Sequence, residues 1–367
     1  MTKLARLSEI LGREQLAERE PEFERLGETA LWQVEQDLEL LARRVPWSEV
    51  CRAYRDLLRN AGQFVHAMYE IRVAAMLAPV ATELQLHPKV GNGACDLRCR
   101  LCSYDLFVEV RTREDVFPWD RVEWNEMRRT GEGVDTDVRE RATTQTTTDL
   151  HDLIAHKDSQ LPDGQMGIVV VGSRGGHWID VEAALFGDEV DRASRSGSVW
   201  RERQGHGLYG QRARPSAVVW LKLRPSFGDV RVHSRLFLNP LANHPITGEI
   251  AETLFGVFDR WRVLTQEVDR IRKILVDRYQ PERVILFGSL AHSSGKEVHS
   301  ASDIDLFVVK RTSARYTDRV GGVLDLVQSR VGLNVIVYTP EELAAAERED
   351  NFFVRDEILG RGCVLFP

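Results

Sequence analysis

RVILFGSLAHSSGKEVHSASDIDLFVVK, residues 283–310, decides how the second half of this chain is read. Arg283 to Phe287 is a short apolar, partly β-branched run that stops on Gly288-Ser289, so a strand is expected to turn there into a helix start. Glycine lets the backbone approach an anion closely, and the N–H groups opening a helix point at it, with the serine hydroxyl adding a donor. Asp303 and Asp305 flank Ile304 ahead of a second apolar run, and a period of two places both carboxylates on one face of a strand. Carboxylates that close repel unless a cation lies between them, and Mg2+ held by carboxylates and substrate phosphates is the usual solution. The stretch therefore reads as a metal-dependent phosphoryl- or nucleotidyl-transfer site, with Gly288 and Ser289 on a triphosphate and Asp303 and Asp305 on Mg2+.

The same residues resemble the minimal nucleotidyltransferases of the DNA polymerase beta-like superfamily, whose signature is Gly-Ser at one strand end and Asp-x-Asp on the next strand. Asn334 to Glu342 (NVIVYTPEE) and Asn351 to Phe366 (NFFVRDEILGRGCVLF) resemble that family's third strand and its closing helix and strand. The likeness runs from near Gln266 onward, roughly a quarter of the chain. It implies a small polymerase-beta-type sheet with helices over residues 262–367, an NTP substrate with ATP the expected one, Mg2+ as cofactor, and a protein or nucleic-acid acceptor. A prokaryotic defence or toxin–antitoxin setting follows only by family association. Active members carry a further Asp on the third strand, whereas the matching residue here is Asn334, a neutral amide that ligates metal less well. Leu290 to Ser302 is longer than usual for the family and reads as a substrate-facing loop.

A second informative region lies upstream. Glu70 sits in the helical pattern HAMYEIRVAAML, Asp96 enters a hairpin after Val90-Gly-Asn-Gly-Ala-Cys, and Glu109-Val110-Arg111 lies on the return strand. Acids so placed can converge on one or two Mg2+ ions with a cation beside a scissile phosphate. The region resembles the PD-(D/E)XK restriction-endonuclease-like superfamily, with Glu70 matching its helical acid, Asp96 its first core carboxylate and Glu109-Val110-Arg111 its E-x-K strand. Arg111 replaces the family's Lys and cannot give up its proton, so it stabilises charge without acting as a base; Lys157 on the following helix is a substitute ammonium. A helix over about Ala142 to Leu161, a strand over Met166 to Val171, and strands in Gly207 to Leu223 and Arg235 to Asn239 are expected downstream. Alternatively, Glu109 and Arg111 simply pair on the outer face of a strand.

The remaining sequence frames these two sites. The chain has 367 residues, 43% hydrophobic and 8% aromatic, with a formal charge of −7, which argues against a surface given over entirely to nucleic acid. Its charged first residues and the absence of a long apolar run make the cytoplasm, with no membrane partner, the expected setting. Five cysteines, an odd number, do not form an extracellular disulfide framework. Cys99-x-x-Cys102 has zinc-knuckle spacing with Cys95 before it, but a second such pair is missing, and small buried side chains are the better reading. Apolar spacing in Leu31, Val34, Leu38 and Leu41 predicts a helix, Pro46 a break, and Ser48–Asn60 and Gln63–Leu77 two more helices. The first thirty residues suit an arm, a partner-binding helix or a frayed end equally. Residues 194–214 read as a basic loop with Trp200 and Tyr209 interleaved, either a nucleic-acid surface or a mobile exposed loop.

The expected fold is thus α+β or α/β in two domains with a helical region before them. Residues 1–60 are that helical extension, 61–250 a restriction-endonuclease-like mixed sheet flanked by helices, and 262–367 the nucleotidyltransferase-type sheet. Two functions compete: transfer of a nucleoside monophosphate from an NTP, or nuclease or nucleic-acid-binding activity upstream with the C-terminal part a nucleotide sensor or interaction module.

Overall fold

The structure, a computed structural model, describes residues 4–12, 28–90, 93–113, 150, 152–154, 156–157, 159–173, 181–186, 188–193, 199–204, 208–209, 214–226, 229–292 and 298–367. The chain divides into two compact units, residues 1–230 with 236–257, and residues 231–235 with 258–367.

In the first unit, helices α1 (Ala5–Leu11), α2 (Glu28–Ala42), α3 (Trp47–Arg59) and α4 (Ala61–Leu77) precede the sheet. Leu31, Val34, Leu38 and Leu41 are all buried, as their three- and four-residue spacing predicts. The α4 stripe of Phe64, Met68, Ile71 and Ala75 is only part of what that helix buries, since Ala67, Tyr69, Glu70, Val73 and Ala74 are buried too. Such a helix is interior on nearly all sides. Glu35 of α2 accepts the backbone N–H groups of Arg6 and Leu7 at 2.7 and 2.9 Å, satisfying donors that the first turn of α1 leaves open. Arg72 of α4 pairs with the buried Asp37 of α2 at 2.7 Å. The described part of residues 1–60 thus shares one compact unit with the sheet.

That sheet is mixed and six-stranded, in the order β1 (Glu83–Leu86), β4 (Leu97–Leu101), β5 (Tyr104–Arg113), β6 (Met166–Ser173), β9 (Ala217–Ser226) and β10 (Asp229–Leu238). Two separate hairpins are β2 (Lys89–Val90) with β3 (Gly93–Ala94), and β7 (Asp188–Ala193) with β8 (Val199–Gln204). β4 runs antiparallel to β1 and β5, whereas β5, β6 and β9 are parallel. Ile168 to Val171 are wholly buried, the pattern of a parallel strand covered on both faces. On β4, Leu97, Cys99 and Leu101 turn inward, while Arg98 and Arg100 pair with Asp105, and Arg100 also with Glu83. Cys95 and Cys99 are buried, and Cys102 lies past the strand at φ 48° in the turn to β5.

Several sequence expectations change here. Of the helix expected over 142–161, residues 150, 152–154 and 156–157 are helical, and 142–149, 151, 155 and 158 lie outside the described residues. The basic stretch 194–214 is not wholly loop: Trp200 lies on β8, and Tyr209 is buried, donating its hydroxyl to the Phe237 carbonyl at 2.6 Å and meeting Phe186 edge-on at 5.1 Å. An aromatic ring spent on the core offers no stacking surface. Residues 194–198, 205–207 and 210–213 lie outside the described set, as do 13–27, 91–92 and 293–297 from the predicted arm, hairpin and loop. After α5 (Val181–Phe186), the expected boundary at 242–252 carries a helix, α6 (Gly248–Phe258).

The second unit is built on a four-stranded sheet in the order β13 (Leu333–Tyr338), β12 (Ile304–Val309), β11 (Arg283–Phe287) and β14 (Cys363–Phe366). β11 is antiparallel to β12 and β14, and β12 is parallel to β13. Alternation splits β11 between two layers. Val284 and Leu286 meet Leu264, Val268, Ile271 and Leu275 from α7 (Arg260–Ile274) and the π-helical turn that continues it. Ile285 and Phe287 pack instead with Ala346, Val354 and Ile358 on the opposite face. Asp259 caps α7 by accepting the Arg262 N–H at 3.1 Å. The remaining helices are α8 (Ser289–His292), α9 (Tyr316–Val327) and α10 (Pro340–Arg348), the last opened by a Thr339–Glu342 capping box.

Candidate functional site

Strand register assembles the C-terminal site. Phe287 on β11 lies opposite Asp305 on β12, and Asp305 lies beside Asn334 on β13, so three strands bring their residues to one place. Gly288 follows β11 at φ 73°, a conformation suited to glycine. A β-carbon there would overlap the Asp305 carboxylate, so the bare backbone is what lets the acid come close. Ser289 opens the four-residue α8. Asp303 sits just before β12, not in it as the alternation implied, because a turn in which the His299 N–H donates to Ser302 Oγ at 3.0 Å delays the strand. Asp303 is accommodated by Gly332, where a β-carbon would overlap its carboxylate. Gly332 was not singled out in the sequence, since a glycine before a strand looks like an ordinary turn residue. Asn334 donates from Nδ2 to Asp305 Oδ1 at 3.0 Å.

Burial raises the Asp305 carboxyl above its usual value and the charge of Asp303 adds to the rise, against the lowering by the Asn334 donor. A negatively charged, half-buried acid beside a second acid suits a hard divalent cation. Among the described residues no group of three or more His, Cys, Asp or Glu forms a metal cage. The donor set therefore fits Mg2+ only if substrate phosphates or water complete its shell, the arrangement Mg2+ favours. Gly332→Ala is expected to swing Asp303 away and lower nucleotidyl transfer about 10- to 100-fold, as misplacement of a positioned group by about 1 Å does. Its thermal midpoint should stay within a few degrees of wild type, and a large drop would show Gly332 to be structural.

Residues 268–359 match the family model for a nucleotidyltransferase domain. Comparison with curated proteins finds no match. The nucleotidyltransferase domain so delimited contains Gly288, Ser289, Asp303, Asp305, Gly332 and Asn334, and ends before β14. No described helix is long and apolar enough to cross a membrane.

A separate cluster lies in the first unit, upstream of the nucleotidyltransferase domain. The Lys157 ammonium donates to Glu109 Oε2 at 2.7 Å and to Asp96 Oδ2 at 3.2 Å, and the Val110 N–H donates to the same Asp96 oxygen at 2.7 Å. Lys157, 48 residues after Glu109 in the chain, takes the place beside the acids. Arg111 does not join them: it is exposed near the end of β5. Burial raises the Glu109 carboxyl to about 7, the nearby Asp96 charge reinforces this, and Lys157 opposes it. Burial would depress Lys157, yet Asp96 and Glu109 together hold it above its ordinary value.

Glu70 is buried beside this cluster with both oxygens engaged. His66 Nε2 lies 2.8 Å from Oε1 and His87 Nε2 lies 3.1 Å from Oε2. Burial pushes its carboxyl up, but the two imidazoles overcome this and bring it from 4.5 to about 2. Neither histidine was singled out in the sequence, though His66 and Glu70 have the i, i+4 spacing that makes helix neighbours. His87 is placed by the hairpin, its N–H donating to the Asp96 carbonyl at 2.9 Å, and it takes a left-handed φ of 46°.

A lowered folded-state pKa stabilises above the unfolded value and is lost as pH falls through the folded one. For Glu70 the contribution is present above pH 4.5 and lost toward pH 2. His87, pulled above 6.5 by Glu70 against the effect of burial, adds stability below 6.5 that disappears as pH rises through its raised value. Glu70→Gln should therefore cost about 2–3 kcal/mol near pH 6, less at pH 9 and almost nothing at pH 2. Urea melts at the three pH values check this, and a pH-independent loss would contradict it.

Proposed function

We propose that the nucleotidyltransferase domain is an Mg2+-dependent enzyme that moves a nucleoside monophosphate from an NTP, ATP being the favoured donor, to a protein or nucleic-acid acceptor. The observation that carries this reading is the juxtaposition of Asp303 and Asp305 with the glycine-opened turn at Gly288-Ser289, within residues that match the family model. In this reading Gly288 and Ser289 receive the triphosphate, and Asp303 and Asp305 hold the cation, which neutralises developing phosphate charge. Asn334 orients Asp305 through its amide and leaves the acceptor's proton to a group outside this trio. A setting in prokaryotic defence or toxin–antitoxin pairs is consistent with such chemistry.

The full chain should be incubated with α-labelled ATP and Mg2+, alone and with RNA or cell extract, and repeated with a chelator. Label on RNA or protein that disappears with the chelator is expected. Label that never forms, or that ignores chelation, overturns the reading.

A second reading is favoured by the Asp96–Glu109–Lys157 cluster. It makes the first unit a PD-(D/E)XK-like phosphodiesterase, with the nucleotidyltransferase domain a nucleotide sensor or interaction module. Asp96 and Glu109 would hold a divalent cation and Lys157 would stabilise charge on the scissile phosphate. Plasmid nicking with Mg2+ that Asp96→Ala leaves unchanged rules it out.

A further inference from the structure

Asp303 lies between two turns: it follows residues 299–302 and faces Gly332, which ends residues 328–332. The Ile304 N–H donates to the Gly332 carbonyl at 2.9 Å and ties the start of β12 to the second turn. Standing ahead of β12, Asp303 has no sheet ladder of its own, so whatever fixes the two turns fixes its carboxylate.

Both turns are held from α7. At its start Arg260 donates from Nη2 at 2.8 Å and from Nε at 3.3 Å to the Ser302 carbonyl, the peptide oxygen immediately before Asp303. A planar guanidinium that puts two donors on one oxygen restrains both the position and the tilt of that peptide. Seven residues on, Glu267 is buried, and its Oε1 accepts the Arg330 N–H at 2.9 Å and the Arg270 guanidinium at 2.6 Å, which fixes the turn that carries Gly332. Arg270 also donates to the Val327 carbonyl at 2.8 Å, an ordinary way to finish the end of α9. Arg260 finishes no helix end and, among the described residues, pairs with no carboxylate, so its grip is spent on the peptide that leads into Asp303. Both Arg260 and Glu267 precede the residues that match the family model.

We propose that Arg260 is a positioning residue of the nucleotidyltransferase site, holding the peptide before Asp303 so that its carboxylate stands beside Asp305 where both can take one divalent cation. This rests on the reading of that domain as an Mg2+-dependent transferase. Arg260 touches neither nucleotide nor cation in this role. It acts through Asp303 alone, in the way that groups behind a metal ligand set the ligand's direction.

The test compares wild type with Arg260→Ala and Arg260→Lys in the full chain. The probe is the Mn2+ complex of α,β-methylene ATP, whose carbon bridge prevents transfer, so that binding is read by electron paramagnetic resonance without turnover. Arg260→Ala is expected to bind the complex about tenfold more weakly, and Arg260→Lys, which keeps one donor but not the fork, to fall between it and wild type. In label transfer the half-saturating Mg2+ concentration should rise by about the same factor, with the rate recovering as Mg2+ is raised. Thermal midpoints in chelator should stay within a few degrees of wild type. Equal affinity of all three proteins for the Mn2+ complex overturns the role of Arg260 alone. So does a transfer rate that is lowered equally at every Mg2+ concentration, or a midpoint that collapses, since either is the mark of a residue serving only the fold. Wild type that does not bind the Mn2+ complex overturns the transferase reading and the role with it.

Discussion

Asp305→Ala should lower nucleotide transfer by about 1000-fold, on the order of 4 kcal/mol of transition-state stabilisation. The effect is large because this carboxylate is where β11, β12 and β13 converge: Gly288 leaves it room, Asn334 orients it and Asp303 stands close enough to raise its pKa. In the proposed site, removing it takes away the partner of Asp303, and one carboxylate would not hold Mg2+ against water at ordinary concentrations. The fold should not suffer. Burial disfavours the ionised form of Asp305, so alanine relieves a cost while losing one hydrogen bond, and the thermal midpoint should move by only a few degrees. The measurement is initial rate of label transfer beside a melting curve on the same preparation. Transfer within tenfold of wild type would remove Asp305 from the site, and a collapsed melt would show that its main role is in the fold.

On the second reading, Glu109→Gln is expected to act in opposite directions on stability and on phosphodiester cleavage. The folded carboxyl is raised from 4.5 to about 7, so its stability contribution is full below pH 4.5 and is lost as pH rises through 7. Above that, an ionised carboxylate with no exposure remains in the core beside Asp96. Glutamine removes that charge, and Lys157 keeps Asp96 as its counter-ion. The variant should gain about 2 kcal/mol over wild type at pH 8 in chelator and nothing at pH 4. On the same reading, metal-dependent nicking should fall by about 1000-fold at pH 8, since Glu109 would be the second cation ligand. Urea melts at both pH values and plasmid nicking with Mg2+ provide the test. A variant less stable than wild type at pH 8 would mean that the Glu109–Lys157 pair holds the fold together. Conversely, a gain in stability with lost cleavage is the pattern of a strained site kept for function.

The contrast between the two units lies in how far apart their site residues are in the chain. Gly288, Ser289, Asp303 and Asp305 fall within 18 consecutive residues, at the end of β11 and the start of β12. Local alternation and turn chemistry suffice to read such a stretch, which is why β11, the turn at Gly288 and β12 are legible from composition alone. Asn334 is reached from the sequence only through the resemblance of residues 334–342 to the family's third strand. What local pattern does not contain is clearance: that Gly332 is the residue leaving room for Asp303 depends on β13 running parallel beside β12, a matter of sheet order.

In the first unit the acids Glu70, Asp96 and Glu109 are legible by type and Lys157 as the substitute ammonium, but the histidines on Glu70 are not. Lys157 arrives from a helix 48 residues after Glu109 and displaces the sequence neighbour Arg111, which lies on the same strand yet faces solvent. His87 reaches Glu70 because a hairpin turns it back beside Asp96, and the Tyr54 ring of α3 meets His87 edge-on. Sequence by itself determined which residues can carry charge, where strands alternate and where glycine opens a turn, because those properties are set within a few bonds. Only the tertiary structure decided which charges meet and which polar atoms are left without partners. Burial and pairing depend on elements distant in the chain packing together, and the energy of a charge depends on that surrounding more than on its neighbours in sequence.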